Sequence, residues 1–185
     1  MIFREVEDRD LILKTRRGDV DAYNVLVSRW EKRVYNYLLR VVRNREDALD
    51  LCQETFLKAY RGLARLQDIE RFPQWLFRIA HNETVSMFRR NKLAFEDQDT
   101  ELAESSVTLA GSAAERFELN LAVKRALDGL KPEQREMVVL KIYQGFKFHE
   151  IAEILSCPVS TVKSRLYSAF EALRGTLAPA GGRNL

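Results

Sequence analysis

The chain has 185 residues, a net charge of +3 and 46% hydrophobic residues against 31% charged, a balance that suits one or two soluble globular domains. Only two cysteines occur, Cys52 and Cys157, far apart in the chain, which excludes a disulfide framework and a cysteine metal cluster and fits a reducing cytoplasm. No apolar run approaches a membrane span, and the charged start MIFREVEDRD lacks the apolar core of a signal peptide.

The charge is unevenly placed. Residues 1–94 carry +5, residues 95–118 carry −6 and residues 119–185 carry +4. Two basic blocks suit a polyanion, though a mild excess is also ordinary solubility. The acidic segment between them divides the chain.

Residues 8–40 read as helices, with Leu11, Ile12, Ala22, Val25, Leu26, Trp30, Val34, Tyr37 and Leu38 recurring at helical spacing. Gly18-Asp19 interrupts the run, and Asp19 or Asp21 can cap the next helix. Residues 46–61 form a second amphipathic helix whose expected buried stripe is Leu49, Cys52, Phe56, Ala59 and Tyr60. Asp47, Asp50 and Glu54 lie on one side of it with Leu57 among them. Carboxylates so spaced repel mildly, so they are either a solvated face or an acidic docking site for a basic partner.

Residues 62–73 hold Gly62 and Pro73 and read as a loop. A basic, aromatic helix occupies 74–92. Leu76, Ile79, Ala80 and Met87 can face a core, while Trp75, Arg78, Asn82, Ser86 and Arg89 share a neighbouring stripe, with Arg90 beside it. Aromatic rings for stacking, guanidinium groups for phosphate and an amide for a base edge are what single-stranded nucleic acid requires. The alternative is core aromatics beside a solvated basic face.

Residues 96–112 carry five carboxylates without periodicity and read as an extended linker. A helix resumes over 114–129 and ends at Gly129, and Pro132 opens another through about Tyr143. From Gly145 to Arg174 the pattern is two helices around the turn Ser156-Cys157-Pro158. The second helix spaces Val162, Leu166, Ala169 and Leu173 by four, three and four, one narrow stripe that must be buried. Its other side shows Ser160, Ser164, Tyr167 and Ser168, flanked by Lys163 and Arg165. That is the layout of a DNA-reading helix-turn-helix. The tail APAGGRNL looks frayed. The expected fold is all-α: a helical domain over 1–94, a flexible acidic linker over 95–113, a helix-turn-helix domain over 114–177 and a tail over 178–185.

Enzyme signatures fail. His149-Glu150 begins an HExxH-like run, but its fifth position is Glu153, so the second zinc ligand is missing. His81 and His149 lack a sequence-local acid or cysteine partner, and Cys157 reads as a packing residue. There is no phosphate-binding glycine loop. Neither a catalytic residue nor a metal or cofactor is expected.

Three ordered stretches carry a family resemblance: DALDLCQETFLKAY at 47–60, FPQWLFRIAHN at 72–82 with Arg89-Arg90, and LKPEQREMVVLKIYQGFKFHEIAEILSCPVSTVKSRLYSAFEAL at 130–173. The chain resembles the extracytoplasmic-function (ECF) sigma factors, small two-domain members of the sigma-70 superfamily. The resemblance implies that core RNA polymerase and promoter DNA are partners, and that an anti-sigma factor is a further one. It implies polymerase contacts at Asp47, Asp50, Gln53, Glu54 and Leu57. For opening and reading of a −10 element it implies Trp75, Arg78, Asn82, Ser86, Arg89 and Arg90, with Asn82 holding an extruded base and the 62–73 loop completing its pocket. For a −35 element it implies Ser160, Thr161, Lys163, Ser164, Arg165, Tyr167 and Ser168. The acidic linker is expected to thread the polymerase RNA channel, its carboxylates imitating transcript phosphates. Glu83, Ser86, Ser168 and Phe170 depart from the residue types common at these positions, so promoter preference does not transfer from relatives. A stand-alone helix-turn-helix regulator is the competing reading.

Overall fold

A computed structural model describes residues 6–94 and 122–177, and every regular element among them is helical. The linker and tail expectations, and residues 114–121 of the expected helix, lie outside the described residues.

The N-terminal part contains α1 (Asp8–Arg16), α2 (Val20–Val42), α3 (Arg45–Gly62) and α4 (Phe72–Ala94). Gly18, at φ +95°, makes the turn after α1 in a conformation that side chains resist. Asp19 caps α2 by accepting the Ala22 N–H at 2.9 Å. Asn44 caps α3 by accepting from Glu46 and Asp47 N–H groups at 2.8 and 3.1 Å. Tyr37, Leu38 and Val34 of α2 meet Leu76, Phe77 and Ala80 of α4, all fully buried. Tyr37 and Phe77 pack edge-on with ring centroids 5.2 Å apart.

Two sequence expectations need correction. In α3 the buried residues are Ala48, Leu51, Thr55, Phe56 and Ala59, whereas Leu49 is 51% exposed and Tyr60 44%. The helix packs against both α2 and α4, so its buried arc turns toward the small residues Ala48 and Thr55 that allow close approach. The Thr55 hydroxyl is satisfied by the Leu51 carbonyl at 2.6 Å, which lets a polar residue enter this arc. Val25 of α2 is also exposed rather than part of the apolar run, because its neighbours Ala22, Leu26 and Trp30 supply the buried stripe.

The segment between α3 and α4 is two 3₁₀ turns, Leu63–Arg65 and Ile69–Arg71, and Phe72-Pro73 already belong to α4. Proline fits there because the first turn of a helix leaves its N–H unpaired anyway.

The C-terminal part begins with α5 (122–128), succeeded by α6 (Pro132–Val138). Gln134 Oε1 accepts the Lys131 N–H at 3.3 Å and secures the start of α6. The helix continues as a π turn over Val139–Tyr143. Gly145, at φ +77°, then reverses the chain. The helix-turn-helix is α7 (Phe148–Ile154) and α8 (Val159–Leu177), joined through Ser156 in the left-handed region at φ 52°. Val162, Leu166 and Ala169 are buried and Leu173 packs partly against them, as the spacing requires.

The core runs without interruption from one part to the other. Phe77 of α4 packs edge-on against Phe146, with ring centroids 5.0 Å apart. Among the described residues no helix is long and apolar enough to cross a membrane.

Candidate functional site

The residues singled out in the sequence fall on three faces, each set by one helix.

The first is the outer side of α3. Asp47, Asp50, Gln53 and Glu54 line a polar depression of about 590 Å³, completed by Lys58 and by Glu83, Met87 and Arg90. Gln53 and Leu57 also border an apolar groove of about 770 Å³ between α2 and α3. Val20, Leu49 and Tyr60 form its exposed apolar rim. One helix thus presents carboxylates on one side and an open hydrocarbon surface on the other. The exposed Leu49 and Tyr60, misassigned to the core by periodicity, belong to this face. Cys52 lies in the groove, and burial, helped by Glu31, raises its thiol to a pKa of about 11. It is a packing thiol rather than a nucleophile.

The second face is α4. Arg78, Asn82, Arg89 and Arg90 are exposed along it and Ser86 is half-buried. The four arginine and asparagine side chains are free of ion pairs among the described residues, which leaves their donors available. Trp75 is half-buried, packed at 6.0 Å on Phe72 and over Gly62, where an added Cβ would sit 3.1 Å from its ring. The indole is therefore shared between the core and the surface. Beside Asn82, Glu83 is buried and meets Lys58 of α3 at 2.5 Å. That contact explains how a buried carboxylate is accommodated here.

The third face is α8. Ser160, Lys163, Ser164, Arg165, Tyr167 and Ser168 are exposed, and Thr161 is half-buried. Tyr167 is 63% exposed, an uncommon placement for an aromatic ring. Two hydroxyls are already engaged: Ser164 donates to the Thr161 carbonyl at 3.1 Å and Ser168 accepts from Gln134 at 3.1 Å. Both retain hydrogen-bonding capacity toward solvent.

Sequence reasoning missed a fourth arrangement. Glu136 of α6 is buried, accepts the Tyr37 hydroxyl and lies 2.7 Å from His81 Nδ1. Tyr37 is held far above its ordinary pKa by burial first and then by the Glu136 charge. His81 thus has an acid partner, 55 positions away. Nothing in local spacing signals such a contact.

Among the described residues no group of three or more His, Cys, Asp or Glu side chains could hold a metal ion.

Comparison with known proteins gives these faces a context. The profile of Sigma-70 region 2 matches residues 26–93, and that of Sigma-70 region 4 matches residues 120–173. The RNA polymerase sigma-H factor of Pseudomonas aeruginosa is 30% identical over 183 residues, covering 94% of this chain and 95% of that protein. The ECF RNA polymerase sigma-E factor of Escherichia coli K12 is 30% identical over 185 residues, covering 95% and 96%. Among solved structures, CnrH in complex with the cytosolic domain of CnrY is 27% identical with a TM-score of 0.67, covering 92% of this chain and 96% of that one. The sigma factor RpoE of Bartonella quintana, in complex with the anti-sigma factor NepR, is 25% identical with a TM-score of 0.73, covering 85% and 98%.

Proposed function

The chain belongs to the ECF sigma factors of the sigma-70 superfamily, and from that premise we propose a role for each of its three exposed faces. It acts in the cytoplasm as the promoter-selecting subunit of RNA polymerase. The face on α3 docks on the polymerase, the face on α4 opens and holds −10 DNA, and α8 reads −35 duplex. An anti-sigma protein is a further partner, in keeping with the complexes formed by CnrH and the Bartonella RpoE. Synthesis chemistry stays with the polymerase, and this chain contributes binding.

The observation that carries the reading is the separation of chemistries on three helices. Carboxylates beside exposed hydrocarbon on α3 suit a basic, partly apolar protein surface. Gln53 lines both surfaces, with Asp50 and Glu54 on the polar side and Leu57 on the apolar side. Arg78, Arg89 and Arg90 on α4 and Lys163 and Arg165 on α8, which have no carboxylate partner among the described residues, suit phosphate. Asn82 stands between Arg78 and Arg89, so its amide can address a base while the guanidinium groups hold the strand. On α8, Lys163 and Arg165 bracket Ser164, with Tyr167 and Ser168 one turn on. Such a helix reads the major groove through short polar side chains and positions itself on phosphates.

Each contact set is small. Modest contacts become strong only when the polymerase fixes their separation, so the free chain binds promoter duplex weakly. Gel shifts of a promoter fragment, with and without core polymerase, test this. A specific shift appears only with both proteins. Tight specific binding of a repeated half-site by the chain alone would instead support a stand-alone regulator.

A further inference from the structure

We propose that Arg16 of α1 is a positioning residue for −10 recognition: its guanidinium pins the segment between α3 and α4 and so sets how strictly one base of that element is chosen. The inference rests on the sigma-factor reading above, with residues 62–73 bordering the base held at Asn82.

Arg16 stands in the last turn of α1, a helix anchored in the core by Leu11 and Ile12. Its side chain crosses to a segment that begins 47 positions later. Nε donates to the Leu63 carbonyl at 3.2 Å, and Nη2 donates to the Leu66 carbonyl. Among the described residues no backbone N–H reaches the Leu66 carbonyl, and the Leu63 carbonyl otherwise accepts the Leu66 N–H at 3.3 Å. Two carbonyls three residues apart suit a planar fork whose donors are fixed relative to each other. A lysine ammonium on its flexible stem keeps the charge but not the fork.

The pinned segment has few restraints of its own. Leu63 and Leu66 are buried anchors, while Ala64, Arg65, Gln67 and Asp68 are exposed. Its two turns are 3₁₀, a form with poorer hydrogen-bond geometry than an α-helix. Asp68 closes the second turn by accepting the Glu70 N–H at 3.1 Å. Arg9, two helical turns before Arg16 on the same face of α1, reaches Glu70 at 3.4 Å. Both of those side chains are well exposed, so that pair contributes little. Arg16 is the principal polar tie from α1 to the segment.

The segment also abuts the α4 face. Gly62 lies under the Trp75 indole so closely that an added Cβ would sit 3.1 Å from the ring. Trp75, Arg78 and Asn82 share one stripe of α4. A shift of the turn at Leu63–Arg65 therefore reaches the indole and the space beside Asn82. A polar site loosened by about 1 Å loses its selectivity. Arg16 acts through the segment, not by touching DNA.

Two measurements test this on Arg16→Lys and Arg16→Ala, with far-UV circular dichroism as the folding check. In the first, hydrogen exchange of the free chain is followed by mass spectrometry. Amides of residues 63–71 should exchange about five-fold faster or more in both variants, with α4 unchanged. Parent-like exchange over 63–71 overturns the positioning role, whatever happens in transcription. In the second, each chain directs core polymerase on a library randomised over the −10 block below a constant −35 block. Both variants should relax discrimination by about five-fold or more at one −10 position, the scale of a single mismatch. Polymerase affinity should stay within about two-fold of the parent. Parent-like preference at every position overturns the proposal. So does a loss shared by all positions that Arg16→Lys recovers, with a salt slope shallower by about 0.9 in Arg16→Ala, the mark of a phosphate contact. Promoter choice by the parent chain judges the sigma-factor reading, whereas exchange in the free chain judges Arg16 independently of it.

Discussion

Lys58 Nζ lies 2.5 Å from Glu83 Oε1, tying α3 to α4 one residue from Asn82. Glu83 is buried while Lys58 is about half exposed, so the lysine supplies the carboxylate's partner from the surface side. Lys58→Met removes that partner and leaves a buried acceptor unpaired. The expected loss is about 1–2 kcal/mol, toward the low end for a buried group because water can reach this one. For a chain of this size that lowers Tm by about 2–8 °C. Calorimetry measures it, and an unchanged Tm would remove the pair from the structural account.

Arg165 is exposed on α8 without an ion pair among the described residues. Arg165→Ala should weaken polymerase-dependent binding to −35 duplex and make the slope of log K against log salt shallower by about 0.9, the contribution of one phosphate contact. A salt titration of the ternary complex reads both. An unchanged slope with unchanged affinity would place Arg165 outside the interface.

Asn82 and Leu57 separate opening from docking. Asn82→Ala should impair strand opening, monitored by permanganate reactivity of unpaired thymines, while leaving polymerase affinity within about two-fold of the parent, as expected for a surface substitution outside the docking face. Leu57→Ala should do the reverse, with polymerase affinity falling by about five-fold or more as an interfacial apolar side chain is truncated. If Asn82→Ala loses polymerase binding, its role lies in folding or docking.

Cys52 gives a pH signature. Its folded-state pKa is raised from 9.0 to about 11, so the folded chain favours the neutral thiol. Stability from this group is therefore complete below pH 9 and is lost as pH rises from 9 toward 11, because the unfolded chain releases its proton first. Urea midpoints should decline over that window in the parent and less steeply in Cys52→Ala. Identical declines would contradict the burial of this thiol.

These tests draw on parts of the chain that differ in how openly the sequence displays them. The helix-turn-helix was legible because Val162, Leu166 and Ala169 lie on one stripe facing one core. The helix α3 was only half legible. It has two packing partners, so its buried arc is wide, and periodicity placed Leu49 and Tyr60 inside when they rim a groove. Tyr37 was legible as buried, but its partner was not, since Glu136 is 99 positions away. Contacts of that separation depend on how completed helices dock, which spacing within one helix does not record. The faces on α4 and α8 lay between these cases. Their exposure comes from helical phase, whereas the tie of Ser168 to Gln134 and the partial burial of Trp75 come from tertiary neighbours.

A promoter-selecting subunit must confer promoter choice on a polymerase that lacks it. The direct measurement incubates sigma-free core RNA polymerase with a randomised promoter library, with and without the chain, and sequences the transcripts. Transcripts should depend on the chain and share two upstream sequence blocks at a fixed separation, one disturbed by Arg165→Ala and the other by Asn82→Ala. Transcripts indifferent to the chain, or no association between the chain and the polymerase, would contradict it.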